Sequence, residues 1–172
     1  ETLQSFQQVN YPNLTFVVSD NASTDGSPDM VRTLFPQVHL LAHETQQGYA
    51  RAASLGMKIL MAQNCRYIFS TTNDVIVDPE MINVLVDYAE RHPDTGVLGT
   101  KIYFFDRPTV IWHAGGSVNP LHAHSRHFGW NRADHPRYDR IRECDYVTGC
   151  GFLLRCEALQ KTGCFNEDFV FY

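Results

Sequence analysis

Apolar and polar positions along the first hundred residues predict strands and helices in turn. Short runs of β-branched and aromatic residues predict strands, whereas apolar residues at three- and four-residue spacing predict helices. The predicted strands are residues 15–19, 38–42, 67–71 and 97–102. The predicted helices are the end of one within residues 1–9, residues 27–34, residues 48–63, and one that starts at Asp78-Pro79-Glu80. This alternation predicts an α/β fold with a mainly parallel sheet flanked by helices.

The pattern changes after Arg107. An apolar run that leads into Gly115-Gly116 predicts a hairpin, and residues 117–143 predict a long surface loop because they are polar without clear periodicity. Residues 146–154 form an apolar, glycine-containing run that is typical of a strand beside a ligand. Residues 155–161 then predict a short helix that Gly163 ends. We therefore expect a hairpin and loop region in the C-terminal part of the chain.

Composition narrows the class of protein to a globular domain. The 172 residues are 44% hydrophobic and 19% charged, which suits one domain with a buried core. The formal net charge of −5 provides no basic field for nucleic acid, and no apolar run approaches the roughly 20 residues that span a bilayer. The five cysteines lack CxxC spacing, so we expect free thiols in a reducing cytoplasm rather than a disulfide framework.

Two of the predicted strands end in acidic or amide residues. The first ends in Asp20-Asn21 and the third in Thr72-Asn73-Asp74. In open α/β folds ligands bind at the carboxyl ends of the strands, so this placement indicates a site for a nucleotide and a metal. The oxygens of Asp20 and Asn21 suit the imide N–H of a nucleobase, but an Asx-turn would use the same oxygens. Asp74 suits a hard divalent cation or, alternatively, a turn.

Other polar residues are expected to have structural roles. Ser27 and Asp78 each precede a proline at the start of a helix, so both are predicted as helix N-caps. Asp25 is predicted to stabilise a turn. The histidines of the predicted loop have no cysteine or acid at zinc-ligand spacing, so solvated side chains are the better interpretation; they are His122, His124 and His127.

Five stretches in order along the chain resemble family 2 glycosyltransferases of the rhamnosyltransferase-like kind. Residues 15–27 match the family's strand and Asp-Asn-x-Ser-x-Asp-Gly-Ser turn, and residues 72–74 match its DxD-type metal motif without the first acid. Residues 46–56 resemble its Asn-x-Gly-Phe-Ala segment, although Gln46 and Ser54 replace two asparagines. Residues 145–155 and 163–172 resemble its last two motifs. The resemblance implies a GT-A type fold.

The resemblance also implies roles for individual residues. The donor-binding half would be residues 1–105 and the acceptor-side half residues 106–172, within a single glycosyltransferase domain. Asp74 would hold Mg²⁺ or Mn²⁺, Gly149 and Cys150 would line the donor sugar, and the Trp130 ring suits an acceptor sugar. The nucleotide-binding residues would be Asp20, Asn21, Ser23, Gly48, Arg51 and Asn73.

The implied reaction is an inverting, metal-dependent transfer of a sugar from a nucleoside diphosphate sugar to a hydroxyl acceptor. The acceptor would be a glycan or a lipid-linked molecule of surface polysaccharide or glycolipid assembly. The reaction would take place in the cytoplasm or at the inner face of the cytoplasmic membrane, with which a longer parent protein would associate. The catalytic base is expected beyond Tyr172, with Asp145 as the alternative acid within the chain. Glu167-Asp168 aligns with an earlier part of the family's motif and is not that base. Both ends look cut, so these 172 residues are expected to be inactive alone.

Two other classes of function remain open on the sequence. The first is a catalytically incomplete fragment or module that binds a sugar nucleotide. The second is a sugar-1-phosphate nucleotidyltransferase, which shares the sheet topology. That class would need a glycine-rich loop with Arg or Lys after its first strand, and no such loop is found in these residues.

Overall fold

The strand β1 (Val17–Asp20) pairs in parallel with β2 (His39–Ala42), in the register that aligns Asp20 with Ala42. Residues 1–169 are described in this computed structural model. They divide into two compact units. The first contains Glu1–Ile68, Ile76–Gly96 and the chain from Leu154 onward, and the second contains Phe69–Val75 and Val97–Leu153.

The five helices of the first unit all lie where the apolar periodicity predicts them. Their bounds are α1 (Thr2–Phe6), α2 (Ser27–Leu34), α3 (Tyr49–Ala62), α4 (Met81–Arg91) and α5 (Cys156–Thr162). Each of the last four turns an apolar side toward the core, where the buried residues include Val31, Met57, Ile82 and Leu159. Gly163 ends α5 with a φ of 82°, as predicted, because glycine adopts this left-handed conformation without strain. No helix within residues 1–169 is long and apolar enough to cross a membrane.

Both predicted N-caps are wrong in register. Gly26, with a φ of 83°, is the N-cap of α2, and Ser27 is already helical. Asp25 stabilises this turn, as predicted, because its Oδ1 accepts a hydrogen bond from the Ser27 amide at 3.0 Å. The N-cap of α4 is Glu80 rather than Asp78. The Asp78 carboxylate nevertheless accepts from the Glu80 amide at 2.8 Å, so it stabilises the turn that leads into the helix.

The predicted strand over residues 97–102 is two strands in different sheets. β4 (Val97–Gly99) belongs to a three-stranded sheet with β3 (Tyr67–Ser70) and β10 (Phe152–Arg155), in the order β3-β10-β4. β5 (Ile102–Phe104) joins another sheet. The break falls at Thr100, whose amide and hydroxyl both donate to the carbonyl of Gly151, at 3.3 and 2.9 Å.

The second unit contains two antiparallel sheets. β5 pairs with β6 (Arg107–His113), which pairs on its other side with β9 (Arg132–Ala133). β7 (Gly116–Asn119) and β8 (His124–His127) form a hairpin. A short 3-10 helix covers Pro136–Tyr138.

The prediction of one long loop over residues 117–143 is therefore wrong. The hairpin of β7 and β8 follows the one expected at Gly115-Gly116, where β6 and β7 lie in different sheets. It was not visible in the sequence because its strands are mostly exposed, and polar side chains on both faces give no period-two signal. The strand predicted over residues 146–154 is also shorter than expected. Tyr146 makes an isolated bridge to Gly116, and regular pairing begins only at Phe152.

Candidate functional site

The end of β1 carries the first group of candidate residues. Asp20 is the last residue of the strand, and its Oδ2 accepts a hydrogen bond from the Ser23 amide at 3.0 Å. This bond is the Asx-turn that the sequence left as an alternative to base binding. It uses one of the two carboxylate oxygens, and no hydrogen bond to the other is found within residues 1–169. Asp20 thus shapes the turn and retains an oxygen for a ligand.

Asn21 links the end of β1 to the start of α3. Its Oδ1 accepts a hydrogen bond from the Gln47 amide at 2.6 Å, directly before Gly48. Gly48 is the N-cap of α3 with a φ of 76°, a conformation that favours glycine over residues with a Cβ. Asn21 therefore positions the segment that leads into the helix. The carbonyl oxygen that was a candidate for base recognition is engaged by the protein itself.

Arg51 lies in the first turn of α3 and is solvent-accessible. Its Nε is 3.9 Å from Oε2 of Glu167, and its side chain is 55% exposed. The other oxygen of Glu167 accepts a hydrogen bond from Nζ of Lys58, two turns along the same helix, at 2.8 Å. The first unit thus brings Asp20, Asn21, Ser23, Gly48 and Arg51 onto the end of β1 and the start of α3, the two elements that Asn21 links.

Near the end of β1 a serine–histidine hydrogen bond runs in the wrong direction for nucleophilic catalysis. Ser19 Oγ lies 2.9 Å from Nε2 of His43 and 2.8 Å from the carbonyl of Ala52. The single hydroxyl hydrogen is donated to the Ala52 carbonyl, so Nε2 of His43 carries a hydrogen and donates to Ser19. A histidine in this tautomer cannot accept the serine proton, and the contact holds β1 against α3.

The second unit carries Asp74, the candidate metal ligand. It lies in the exposed turn after β3, and its Oδ1 accepts a hydrogen bond from the Thr72 hydroxyl. No group of three or more His, Cys, Asp or Glu residues suited to a metal ion occurs within residues 1–169. An exposed carboxylate fits Mg²⁺ or Mn²⁺ when a diphosphate and waters supply the remaining oxygens. Asp74 is thus chemically suited to the ion, as one ligand among several from other sources.

The segment with Gly149 and Cys150 is tied to the end of β3. The Thr71 hydroxyl donates to the carbonyl of Cys150 at 2.7 Å, and the Cys150 amide donates to the Thr148 hydroxyl at 3.4 Å. These bonds bring the segment beside the residues that precede Asn73 and Asp74. All five cysteines, including Cys150, are free thiols.

Trp130 belongs to a cluster of rings in the second unit. The indole is half-exposed and meets Phe104 edge-to-face at 5.4 Å between ring centroids. His127 and Trp112 contact it at 5.7 and 6.1 Å. An exposed indole held rigidly by neighbours offers an apolar surface for the face of a sugar ring.

Two buried polar side chains beside this cluster, those of His113 and Tyr146, were not identified from the sequence. His113 is completely buried, and its Nδ1 lies 3.0 Å from Nδ1 of His127. The other ring nitrogen of His113, and the hydroxyl of Tyr146, are buried without a hydrogen-bond partner among residues 1–169. Burial, and then the neighbouring His127, lower the pKa of His113 from 6.5 to about 4. The sequence carried only a weak signal for it, a histidine that ends an apolar run.

Asp145 has a structural hydrogen bond. Its Oδ2 accepts from the Val118 amide at 2.8 Å, and its own amide donates to the Gly116 carbonyl at 2.9 Å. Both bonds secure the hairpin of β7 and β8. The base expected beyond Tyr172 lies outside the described residues, as does the last part of the motif, residues 170–172.

Comparisons with known proteins agree with this arrangement of elements. A mannosyltransferase from Pyrobaculum calidifontis, solved in complex with GDP-Man and Mn²⁺, superposes with a TM-score of 0.63 at 17% identity. The superposition covers 97% of this chain and 43% of that one, and it confirms the predicted α/β fold of GT-A type.

The curated relatives are longer than this chain. An N-acetylglucosaminyl-diphospho-decaprenol L-rhamnosyltransferase of Mycobacterium tuberculosis is 27% identical over 180 residues, which cover 92% of this chain and 57% of the relative. An uncharacterized protein of Sinorhizobium fredii is 23% identical over 175 residues, which cover 98% of this chain and 17% of that protein. The sequence model "Glycosyl transferase family 2" matches residues 1–163. The resemblance drawn from the motifs is thereby confirmed, and the chain belongs to glycosyltransferase family 2.

Proposed function

We propose that this chain binds a nucleoside diphosphate sugar and serves in the transfer of that sugar, with inversion, to a hydroxyl acceptor. The observation that carries the proposal is the hydrogen bond from the Gln47 amide to Asn21, which joins the end of β1 to the start of α3. In α/β folds the carboxyl end of a parallel strand and the N-terminus of a nearby helix are where nucleotide phosphates bind. Family membership supports the same function.

The residues of the first unit would serve the nucleotide. The free oxygen of Asp20 would accept from the base, with Ser23 in the same turn. The amides beside Gly48 and the exposed guanidinium of Arg51 would face the diphosphate, because both favour anionic oxygen. Asn21 would act by positioning, since its carbonyl oxygen already binds the Gln47 amide.

The residues of the second unit would serve the metal and the sugars. Asp74 would hold Mg²⁺ or Mn²⁺ with Asn73 beside it, and the bound ion would supply positive charge to the leaving diphosphate. Gly149 and Cys150 would line the donor sugar, and Trp130 would stack on the acceptor sugar. The division into a donor-binding half, residues 1–105, and an acceptor-side half, residues 106–172, is part of this proposal.

In the proposed reaction an acceptor hydroxyl attacks the anomeric carbon from the face opposite the diphosphate. The new glycosidic bond forms as the bond to the diphosphate oxygen breaks, and a carboxylate takes the hydroxyl proton. We propose that this carboxylate lies outside the described residues, and that Asp145 serves the hairpin, where its Oδ2 accepts from the Val118 amide. The proposed acceptor is a glycan or lipid-linked molecule of surface polysaccharide or glycolipid assembly, in the cytoplasm or at the inner face of its membrane. The name of the mycobacterial relative, a transferase of N-acetylglucosaminyl-diphospho-decaprenol, supports the lipid-linked alternative.

Calorimetric titration of the folded chain with UDP, dTDP and GDP, each with and without Mn²⁺, tests the proposal. We expect one of the three to bind, more tightly with Mn²⁺ than without it. Absence of metal-dependent binding by all three, in a sample whose cooperative unfolding shows that it is folded, would refute the proposal. Binding without transfer of the sugar to any hydroxyl acceptor would favour a sugar-nucleotide-binding module instead.

A further inference from the structure

The outer face of α3 carries two cations that share one carboxylate. Arg51 and Lys58 are seven residues apart, which is close to two helical turns, so their side chains leave the helix on the same side. Glu167 lies between them, with Oε1 at 2.8 Å from Nζ of Lys58 and Oε2 at 3.9 Å from Nε of Arg51. A carboxylate in this position shows that the pair accommodates an oxyanion with two oxygens.

The segment that carries Glu167 lies against α3. The ring of Phe165 meets that of Tyr49, in the first turn of the helix, at 5.9 Å between centroids. The side chain of Glu167 is 38% exposed, and those of Arg51 and Lys58 are more than half-exposed. Exposed ion pairs of this kind contribute little to stability, so a stronger anion can replace the carboxylate at small cost.

We propose that Lys58 and Arg51 together form a diphosphate-binding site, and that Glu167 is an intramolecular counter-ion which the diphosphate displaces. The proposal rests on the proposed function, to which it adds Lys58 as a binding residue and Glu167 as a residue that regulates access. A diphosphate carries more negative charge than one carboxylate and offers more acceptor oxygens, so both cations favour it. The guanidinium of Arg51, whose Nε is only loosely paired, keeps its terminal N–H groups for the ligand.

The ionisation of Glu167 and Lys58 agrees with this arrangement. The hydrogen bond from Lys58 and the charge of Arg51 lower the pKa of Glu167, while the hydrogen bond to Glu167 raises that of Lys58. Glu167 and Lys58 are therefore both charged at neutral pH, and the competition between Glu167 and the ligand is between two anions. Such competition weakens as salt screens the charges, because all three side chains are exposed.

Binding of inorganic pyrophosphate, which has no base to recognise, tests the inference by calorimetry at low ionic strength. Glu167→Gln should bind pyrophosphate about two- to five-fold more tightly than the wild type, the range set by an exposed ion pair. Lys58→Gln should bind it more weakly by a similar factor. Asp168→Asn, at the neighbouring acid, and Lys161→Gln, on the exposed end of α5, are matched controls that should leave the affinity unchanged.

The outcomes separate this inference from the proposed function. Nucleoside diphosphate binding by the wild type, with pyrophosphate affinities of Glu167→Gln and Lys58→Gln equal to the wild-type value, would overturn only the inference. No binding of any nucleoside diphosphate or of pyrophosphate, by the wild type or by Glu167→Gln, would overturn both. A tighter Glu167→Gln complex whose advantage disappears at 0.5 M salt, a concentration at which exposed charges are strongly screened, would support the inference.

Discussion

His113 Nδ1 lies 3.0 Å from Nδ1 of His127, and the two imidazole rings are nearly perpendicular, at 85°. A hydrogen bond between two ring nitrogens needs one donor and one acceptor, so at most one of the two rings is cationic. His113 is completely buried, and its second nitrogen finds no partner among residues 1–169. The hydrogen bond between the two rings therefore joins β6 to β8, and it persists only while at least one of the two rings is neutral.

The first prediction concerns acid stability. The pKa of His113 is lowered in the folded state, so the unfolded chain binds the proton first as the pH falls. Stability from this group is present above pH 6.5 and is lost as the pH falls toward about 4. The loss should be at most roughly 3 kcal/mol. Urea unfolding from pH 7 to 4 should show this decline in the wild type and a smaller one in His113→Phe. The control, His124→Gln on the exposed side of β8, should follow the wild type, and an unchanged decline in His113→Phe would contradict the assignment.

The second prediction separates the two acids that follow β3. Asp74→Asn should abolish metal-dependent nucleotide binding and leave the melting temperature nearly unchanged, because Asp74 is exposed and bonds only Thr72 among residues 1–169. Asp78→Ala should cost about 1 kcal/mol through loss of the bond to the Glu80 amide, and it should keep the binding. Calorimetry and thermal unfolding measure the two effects. Exchanged phenotypes would move the metal site to Asp78.

The third prediction tests Asn21 as a positioning residue. Asn21→Ala removes the acceptor for the Gln47 amide and should cost about 1–2 kcal/mol, because the amide is left without a partner. Nucleotide affinity should fall as well, since the start of α3 is then less ordered. Asn21→Asp keeps an acceptor oxygen and should recover most of the stability. Chemical unfolding together with nucleotide titration measures both effects. Equal free energies of unfolding for Asn21→Ala and the wild type would show that the hydrogen bond does not contribute to stability.

The fourth prediction concerns Arg155, the buried cation at the end of β10. Its guanidinium donates to the carbonyls of Thr95 and Ala89 and to the hydroxyl of Tyr67. Arg155→Lys keeps the charge but cannot reach these three acceptors at once, so it should cost about 2–4 kcal/mol. Arg91→Lys, on the exposed end of α4, should change stability by less than about 0.5 kcal/mol. Urea unfolding compares the two variants, and similar values for both would mean that the network around Arg155 contributes little.

Residues whose environment is set by near neighbours in sequence could be predicted well. Helix α3 (Tyr49–Ala62) was expected over residues 48–63, because its apolar spacing is a local property and Gly48 marks its start. The end of β1 was expected within one residue of Asp20 for the same reason, since the apolar run of residues 15–19 stops there. The Asx-turn alternative for Asp20 also followed from a local pattern, and the structure contains that turn.

Interactions between distant residues could not be predicted in this way. Thr100 ends β4 because its amide and hydroxyl bind the carbonyl of Gly151, 51 positions away. The hairpin of β7 and β8 is held by backbone pairing, which side-chain patterns do not reveal when both faces are exposed. A helix or an apolar strand can be recognised from the residues that form it. A long-range hydrogen bond cannot, because it depends on two groups that only the folded chain brings together.

The sequence by itself determined the helices, the first three strands, the family and the residue types at the strand ends, because short-range spacing and local motifs encode these. Only the tertiary structure decided which of those residues are already engaged by the protein. Asn21 holds the Gln47 amide, Asp145 holds the hairpin, and Arg51 and Lys58 share Glu167. The reason is physical: a polar side chain is available to a ligand only if the folded chain does not satisfy it first, and its partners lie far away in sequence.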